Sequence, residues 1–521
     1  MEEDNKTFEM TVHGEDRSPA SDAENGSMGP AGGAGALGDV RQRLDRFITL
    51  KPAVAFGLTV LSSWEGLALT FGAALLNGGP STMVYGTIVA TIGSLSLSCS
   101  LAEMASITPV VGAQYRWTSL YAPRVMSPEF WGLVQGWLTI FAWISLCAAV
   151  SFVAGTVVQG LIILNKEDYV PEAWHGTLLQ WSYLLVPYLC NLFARKILPA
   201  LEILGGIMHV VFFIAAVVTL TVLAPRSSAE FVFNSSLFGQ SGWTNEGVQW
   251  CIGLLSITAV LTGFDGVLHL SDEIKNPPRK VPRSMILSVV INGVLALAFM
   301  ITLLFCIGDV EAAVNTPTGY PIIQVYYSAT KSKAGATILT IMLLIPMLIS
   351  LFGVIASVSR LAWSFARDGG LPFHEFFGYT HPTLRIPLNA LGLVVVVAGV
   401  LGLINLGSTE AFFAIVSLAT LGLYVSYVLP ILFMLMRKIK NQHPEYGPFQ
   451  LGKWGIPVNI FALCYAIFII IWLPFPATQP TTANSMNYAG PILIFVILMS
   501  LVDWFISGHK RFHVPTHYKA Q

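Results

Sequence analysis

Apolar runs of 20 to 25 residues, separated by short polar connections, recur from about Lys51 to near the carboxyl end of the chain. Each is long enough to cross a hydrocarbon core of about 30 Å as an α-helix. The pattern predicts spans at residues 52–76, 82–106, 129–164, 175–194, 199–224 and 247–270, and again at 283–307, 335–365, 386–406, 411–436, 455–474 and 488–507. The run at 129–164 exceeds one simple span, and only Arg195, Lys196 and their neighbours separate the fourth run from the fifth. The expected fold is therefore all-α, a polytopic membrane protein of about twelve transmembrane helices.

Residues 1–45 are polar, carry a Gly-rich run from Gly29 to Gly38, and hold no aliphatic cluster able to form a core. They are expected to be a disordered tail, followed by a transporter-sized helical domain over 46–508 and a short tail over 509–521. The first apolar stretch starts near Pro52 and is too long for the apolar part of a signal peptide, so it reads as a retained helix.

Composition fits the pattern: 54% of residues are hydrophobic and 11% charged, against about 25% charged in soluble proteins. A net charge of −1 points to no nucleic-acid partner, but the placement of charge is informative. With twelve spans, 23 Lys and Arg fall on one side and 4 on the other, leaving Arg360 inside the eighth span. The positive-inside bias then puts both termini in the cytoplasm. The six cysteines stand singly in apolar stretches, without C-x-x-C or metal-ligand spacing, and are expected to be buried free thiols. G-x-S-x-G, H-E-x-x-H and Walker A patterns are missing, so nothing points to an enzyme. Asn234-Ser235-Ser236 is a weak glycosylation pattern in a connection on the side poor in basic residues.

A charge deep in an apolar helix costs at least about 2.5 kcal/mol and is a functional candidate by default. The first span holds Ser62-Ser63-Trp64-Glu65-Gly66 and the sixth holds Thr262-Gly263-Phe264-Asp265-Gly266. Each has the order aromatic, acid, glycine, and the two spans begin corresponding five-helix halves, 52–224 and 247–436, with 455–507 as two additional helices. Interrupted helices at matching places in two halves mark a transporter's midplane site. The broken turns expose N–H groups for a carboxylate and carbonyls for an ammonium. Ser62, Ser63, Trp64, Glu65, Gly66, Thr262, Gly263, Phe264 and Asp265 are thus the candidate substrate-binding residues. The bland alternative is a kinked, packed helix whose acid pairs with a neighbour. Asp265 lies some six residues from the middle of its run, roughly 9 Å at helical rise, and can neighbour the site rather than line it.

His209, in the fifth span, can change charge near physiological pH. It is either a relay for a coupling proton, together with Glu65 and Asp265, or a hydrogen-bonded packing residue. Glu202, His269 and Asp503 sit nearer helix ends, where interface contacts suffice. Sodium, the rival coupling ion, would need oxygen ligands such as Ser357 and Ser359. No metal or organic cofactor is expected.

Several motifs resemble the fungal amino acid and choline transporter family of the amino acid, polyamine and organocation superfamily. They are Asn77-Gly78-Gly79-Pro80 with Glu103 and Gly112-Ala113-Gln114-Tyr115-Arg116-Trp117, the stretch from Thr262 to Pro277, and Phe365 to Pro372. Ser426 to Pro430, Gly447 to Gly452 and Met486-Asn487-Tyr488 agree as well. The resemblance implies two inverted five-helix repeats plus two helices, with discontinuous first and sixth helices. It also implies a permease in the plasma membrane that imports an amino acid, 4-aminobutyrate or choline by alternating access, usually with a proton. An exchanger, or a transporter-fold nutrient sensor without net flux, would share the same motifs. The family likeness further implies a coupling role for Asp265 and, more loosely, for His209, a topology or gating role for Glu103, and a structural pairing for Arg367 and Asp368.

Overall fold

A computed structural model describes residues 46–407, 411–482 and 486–514. The expected tail over 1–45 and the end of the carboxyl tail from 515 lie outside the described residues. The architecture is all-α. The helices are α1a Leu50–Leu61 and α1b Ser63–Leu76, α2 Gly79–Ile107, α3 Pro128–Asn165, α4 Ala173–Phe193, α5 Leu198–Leu223, α6a Glu246–Ala259 and α6b Phe264–Glu273. They continue as α7 Pro277–Cys306, α8 Lys333–Arg367, α9 Leu388–Leu401, α10 Ala411–Ile439, α11 Gly455–Trp472 and α12 Ala489–Asp503.

Among the described residues, eleven spans are long and apolar enough to cross a membrane by length and composition. The predicted span absent from that set, α4, has 21 residues, but its course is interrupted by His175, Gln180, Ser182 and Asn191. Three of these make contacts inside the protein: Gln180 reaches α3 and α9, Asn191 reaches the Phe352 carbonyl of α8, and His175 meets Tyr169. The amide nitrogens of Gln180 and Asn191 thus bond to protein carbonyls within the bundle, the kind of partner a bilayer cannot supply. The long run at 129–164 is one continuous helix of 38 residues.

Local chemistry sets several boundaries. Gly78 and Gly79 turn the chain into α2 at φ 93° and 72°, where a side chain on Gly79 would strike the Leu237 backbone nitrogen. Ser332 and Asn245 cap α8 and α6a by accepting the Gly335 and Val248 N–H groups.

The interrupted helices lie at the centre. In the α6 span 83% of the most apolar window is buried in protein, against 28% for α5 and α12, which turn most of their surface outward. On α5 the buried residues are Glu202, Gly205, His209, Ala216 and Leu220, one stripe at helical spacing. Ile207, Val211, Ile214 and Val218 are exposed, as a lipid-facing surface demands. The cysteines depart from expectation for the same reason. All six are free, but only Cys147 and Cys306 are buried, and Cys464 is exposed, because lipid accepts an apolar thiol as readily as a protein core does.

The basic ends of the helices meet on one face, and ion pairs tie them together. Arg116 on the connecting helix Ala113–Tyr121 pairs with Asp368 at 2.8 Å, Arg360 of α8 with Glu273 of α6b at 2.8 Å, and Arg511 with Asp503 at 2.5 Å. Glu103 of α2 pairs with Lys438 of α10, both buried, and accepts the Leu451 N–H at 2.9 Å. Glu103 is thus a cross-helix contact on this face. The partners of Asp368 are Arg116 and Tyr115, while Arg367 places its guanidinium over the Trp363 ring. On the same face the segment before α1a runs beside the end of α6b as a parallel bridge, Ile48 with Ile274. Its bonds run from the Phe47 and Ile48 N–H groups to the Glu273 carbonyl and from the Lys275 N–H to the Ile48 carbonyl.

Removing one member of a buried ion pair strands the other, at about 3–5 kcal/mol. Glu103→Ala is therefore expected to lower the thermal stability of the detergent-purified protein strongly, and Glu103→Ala with Lys438→Met to recover most of it. Equal melting of both variants would show that the pair does not hold α2 to α10.

Candidate transport site at the interrupted helices

The break in α1 is a single residue. Ser62 adopts the left-handed conformation at φ 38°, a position that costs a non-glycine residue strain, and the axis restarts at Ser63. The disturbed groups are claimed by α7. Asn292 accepts the Ser63 N–H on Oδ1 at 3.1 Å and donates from Nδ2 to the Leu58 carbonyl at 3.3 Å, while the Ser63 hydroxyl donates to the Asn292 carbonyl at 2.8 Å. Ser62 donates its hydroxyl to the Thr59 carbonyl. Gly66 faces α6a, where a Cβ would come within 2.5 Å of Val260.

Trp64 and Glu65 point to α5. The Trp64 indole donates to the His209 carbonyl at 3.0 Å and its ring packs among Phe213, Phe299 and His209. Glu65 Oε1 lies 2.7 Å from His209 Nδ1, and both side chains are fully buried. Glu65 Oε2 and His209 Nε2 have no partner. Glu65 and His209, both singled out in the sequence, are therefore one acid–imidazole pair directly after the break.

The break in α6 is wider. Residues 260–263 leave the α-helix, Gly263 takes φ 99°, and the chain resumes as the 3-10 turns of α6b. Asp265 opens this segment and is fully buried. It accepts from Gln114 Nε2 at 2.5 Å, Trp143 Nε1 at 3.1 Å and the Tyr427 hydroxyl at 2.5 Å. These donors come from the connecting helix, α3 and α10, so one carboxylate joins four elements. His269 Nε2 lies 3.7 Å from Asp265 Oδ2, beyond hydrogen-bond range. Phe264 stacks against Tyr427 with centroids 5.2 Å apart, and Thr262 donates to the Thr258 carbonyl. Ser357 donates to the Gly266 carbonyl at 2.9 Å and Ser359 to that of Ala356.

Beyond the breaks, on the face opposite the four ion pairs described above, lies a cavity of about 590 Å³. Its deeper walls carry Leu69 and Thr70 of α1b, Phe152 and Thr156 of α3, and Ser256 of α6a; its mouth carries Pro171, Glu172 and Thr478. Glu172 is the charged residue on its wall among the described residues. In this conformation none of the nine candidate binding residues lines the cavity. The structure brings Glu65 to His209 and places Asp265 among Gln114, Trp143 and Tyr427 instead.

Sequence reasoning passed over Asn292, although an asparagine in the apolar run Val289-Val290-Ile291-Asn292 was a readable signal. Glu202 was passed over as an end residue. It is buried, and its Oε2 accepts the Thr59 hydroxyl at 2.9 Å just below the break.

Two centrally placed interrupted helices, a cavity reaching toward them from one face and an ion-paired opposite face define an integral membrane transporter. Residues 52–498 match the amino acid permease family, and the chain belongs to it. It is 29% identical over 490 residues to a choline transporter of Saccharomyces cerevisiae, covering 93% of this chain and 85% of that one. It is likewise 29% identical over 521 residues to the amino-acid permease BAT1 homolog of Oryza sativa subsp. japonica, covering 96% and 98%. A protein of Macrophomina phaseolina, provisionally named an amino acid/polyamine transporter, is 30% identical over 440 residues, covering 84% and 96%.

Stranding the backbone groups at the α1 break has a calculable effect. Asn292→Ala leaves the Ser63 N–H unpaired while the Leu58 carbonyl keeps the Ser62 N–H, and a buried polar group left unpaired costs about 1–3 kcal/mol. A lowered melting temperature in detergent is expected; a wild-type melting curve would deny Asn292 this role.

Proposed function

We propose that this protein imports a small amine-bearing solute, an amino acid, 4-aminobutyrate or choline, by alternating access and with a proton. The observation that carries the reading is the buried Glu65–His209 pair against the break in α1. It is supported by the cavity on one face and the ion pairs on the other, the arrangement of a carrier open to one side. The positive-inside bias makes the basic face cytoplasmic and the cavity face external, with the plasma membrane as the setting. The relatives' names, a choline transporter and amino-acid permeases, agree with an amine as cargo.

Solute enters past Glu172, whose carboxylate favours a cationic or zwitterionic amine, and descends toward the breaks. There the charge state of the Glu65–His209 pair sets what the pocket accepts. With a proton on His209 the pair is internally neutralised; without it, Glu65 is left as an uncompensated anion beside the break. The two states differ by one unit of charge in a medium of low dielectric, where such a difference is large. Binding of solute and proton are thereby linked reciprocally. Asp265, saturated by three donors, holds the lower half of α6 to the α3 and α10 scaffold.

Glu65→Gln is expected to abolish or strongly weaken uptake of labelled choline, 4-aminobutyrate or amino acids while surface expression is kept. Normal uptake by that variant would remove Glu65 from the mechanism. His209→Ala keeps the carbonyl that holds Trp64, so solute binding should survive while the pH dependence of uptake disappears. An unchanged pH profile would count against proton coupling through His209.

A further inference from the structure

Helix α5 buries two ionisable side chains on one stripe, and the transport reading uses only His209. The other, Glu202, lies seven residues earlier, two turns nearer the cytoplasmic face, or about 10 Å at helical rise. Its surroundings are built for a carboxyl group. Thr59 of α1a donates to Oε2 at 2.9 Å, and Gly353 of α8 leaves room for Oε1, since a Cβ there would stand 2.3 Å from that oxygen. Oε1 has no partner.

Glu202 borders a small crevice between α1a, α5, α6b and α8, of about 30 Å³, closed toward the cytoplasm by Phe47 and Ile48. The other charged side chains on that crevice, among the described residues, are Glu273 of α6b and Arg360 of α8, bonded to each other at 2.8 Å. Arg360 is thus neutralised by Glu273 and leaves Glu202 without a cation. Gly205 and Gly206 press α5 so closely on α1a that a Cβ would meet Thr59 at 2.9 Å and Ala55 at 3.0 Å. The two halves of α1 are therefore each tied to α5 by an acid, Glu65 above the break and Glu202 below it.

We infer that Glu202 is the cytoplasmic-side proton site of the transport cycle, a second ionisable group in series with the Glu65–His209 pair. A carboxylate without a cation among mostly apolar walls is strongly disfavoured, so the closed crevice holds Glu202 as the acid. When α1a parts from α5, water reaches Oε1. The O–H bond breaks, the proton passes to cytoplasmic water, and the carboxylate that remains is solvated. The return of α1a requires Glu202 to be an acid again, and the replacing proton comes from the Glu65–His209 pair, which reloads from the cavity side, so each cycle delivers one proton inward and closure of the cytoplasmic side is tied to Glu202. This assignment rests on the proton-coupled reading above.

The test uses the full-length protein in liposomes with the membrane potential clamped. At an inward gradient of one pH unit, one proton per solute supports about tenfold accumulation of labelled choline or 4-aminobutyrate, whichever the wild type carries. Glu202→Gln is expected to retain measurable exchange of that solute across equal concentrations, yet to accumulate none on the gradient. Accumulation by Glu202→Gln equal to wild type overturns the assignment alone; a wild type indifferent to the gradient overturns the proton-coupled reading and the assignment with it. Should the variant fail to reach the membrane, a lipid-soluble carbodiimide, which reacts with protonated carboxyl groups, decides on the wild type. An adduct at Glu202 that fades as pH rises supports the site, and its absence at every pH overturns it.

Discussion

Inside a bilayer no water is on hand for a backbone that leaves the helix, so every interruption has to be answered by protein. The bundle meets that demand at the α1 break. At α1, Asn292 stands in for the lost turn, accepting one N–H and donating to one carbonyl, and Ser63 bonds back to the Asn292 carbonyl. Just past the α6 break, within the 3-10 turns of α6b, the Ser357 hydroxyl donates to the Gly266 carbonyl. The centrality of α1 and α6 follows, because an unwound turn can persist only where neighbours surround it.

The same demand explains how the ionisable groups are distributed. Asp265 is saturated with donors from three other elements, whereas Glu65 and Glu202 each keep one oxygen without a partner. A saturated acid joins parts; an unsaturated one is left with capacity for something else. Both of the latter bridge α1 and α5.

Much of this was legible in the residues. The run lengths located the helices, and the paired Trp64-Glu65-Gly66 and Phe264-Asp265-Gly266 located both breaks. Their side-chain directions were not legible. Glu65 and His209 are 144 positions apart, and only the packing of α5 across α1 makes them neighbours. Spacing within a single span also cannot show that Ser62 breaks the axis while Ser63 is claimed by α7, or that Trp64 faces α5 rather than the cavity. Nor could a one-dimensional reading show that Glu202, near a helix end, is buried. The Phe47–Ile48 segment and Gly353 cover it in three dimensions.

The parallel bridge of Ile48 with Ile274 has a mechanical corollary. It laces the entrance of the first helix to the exit of the sixth through main-chain atoms alone, with Glu273 contributing its carbonyl to the lace and its carboxylate to Arg360. The adjoining ends of both discontinuous helices are thus yoked, and a displacement of the Phe47–Ile48 segment is delivered to both at once. Because the yoke is written in amide groups, most side chains would preserve it at positions 47 and 48, whereas proline, lacking the N–H, would uncouple the pair.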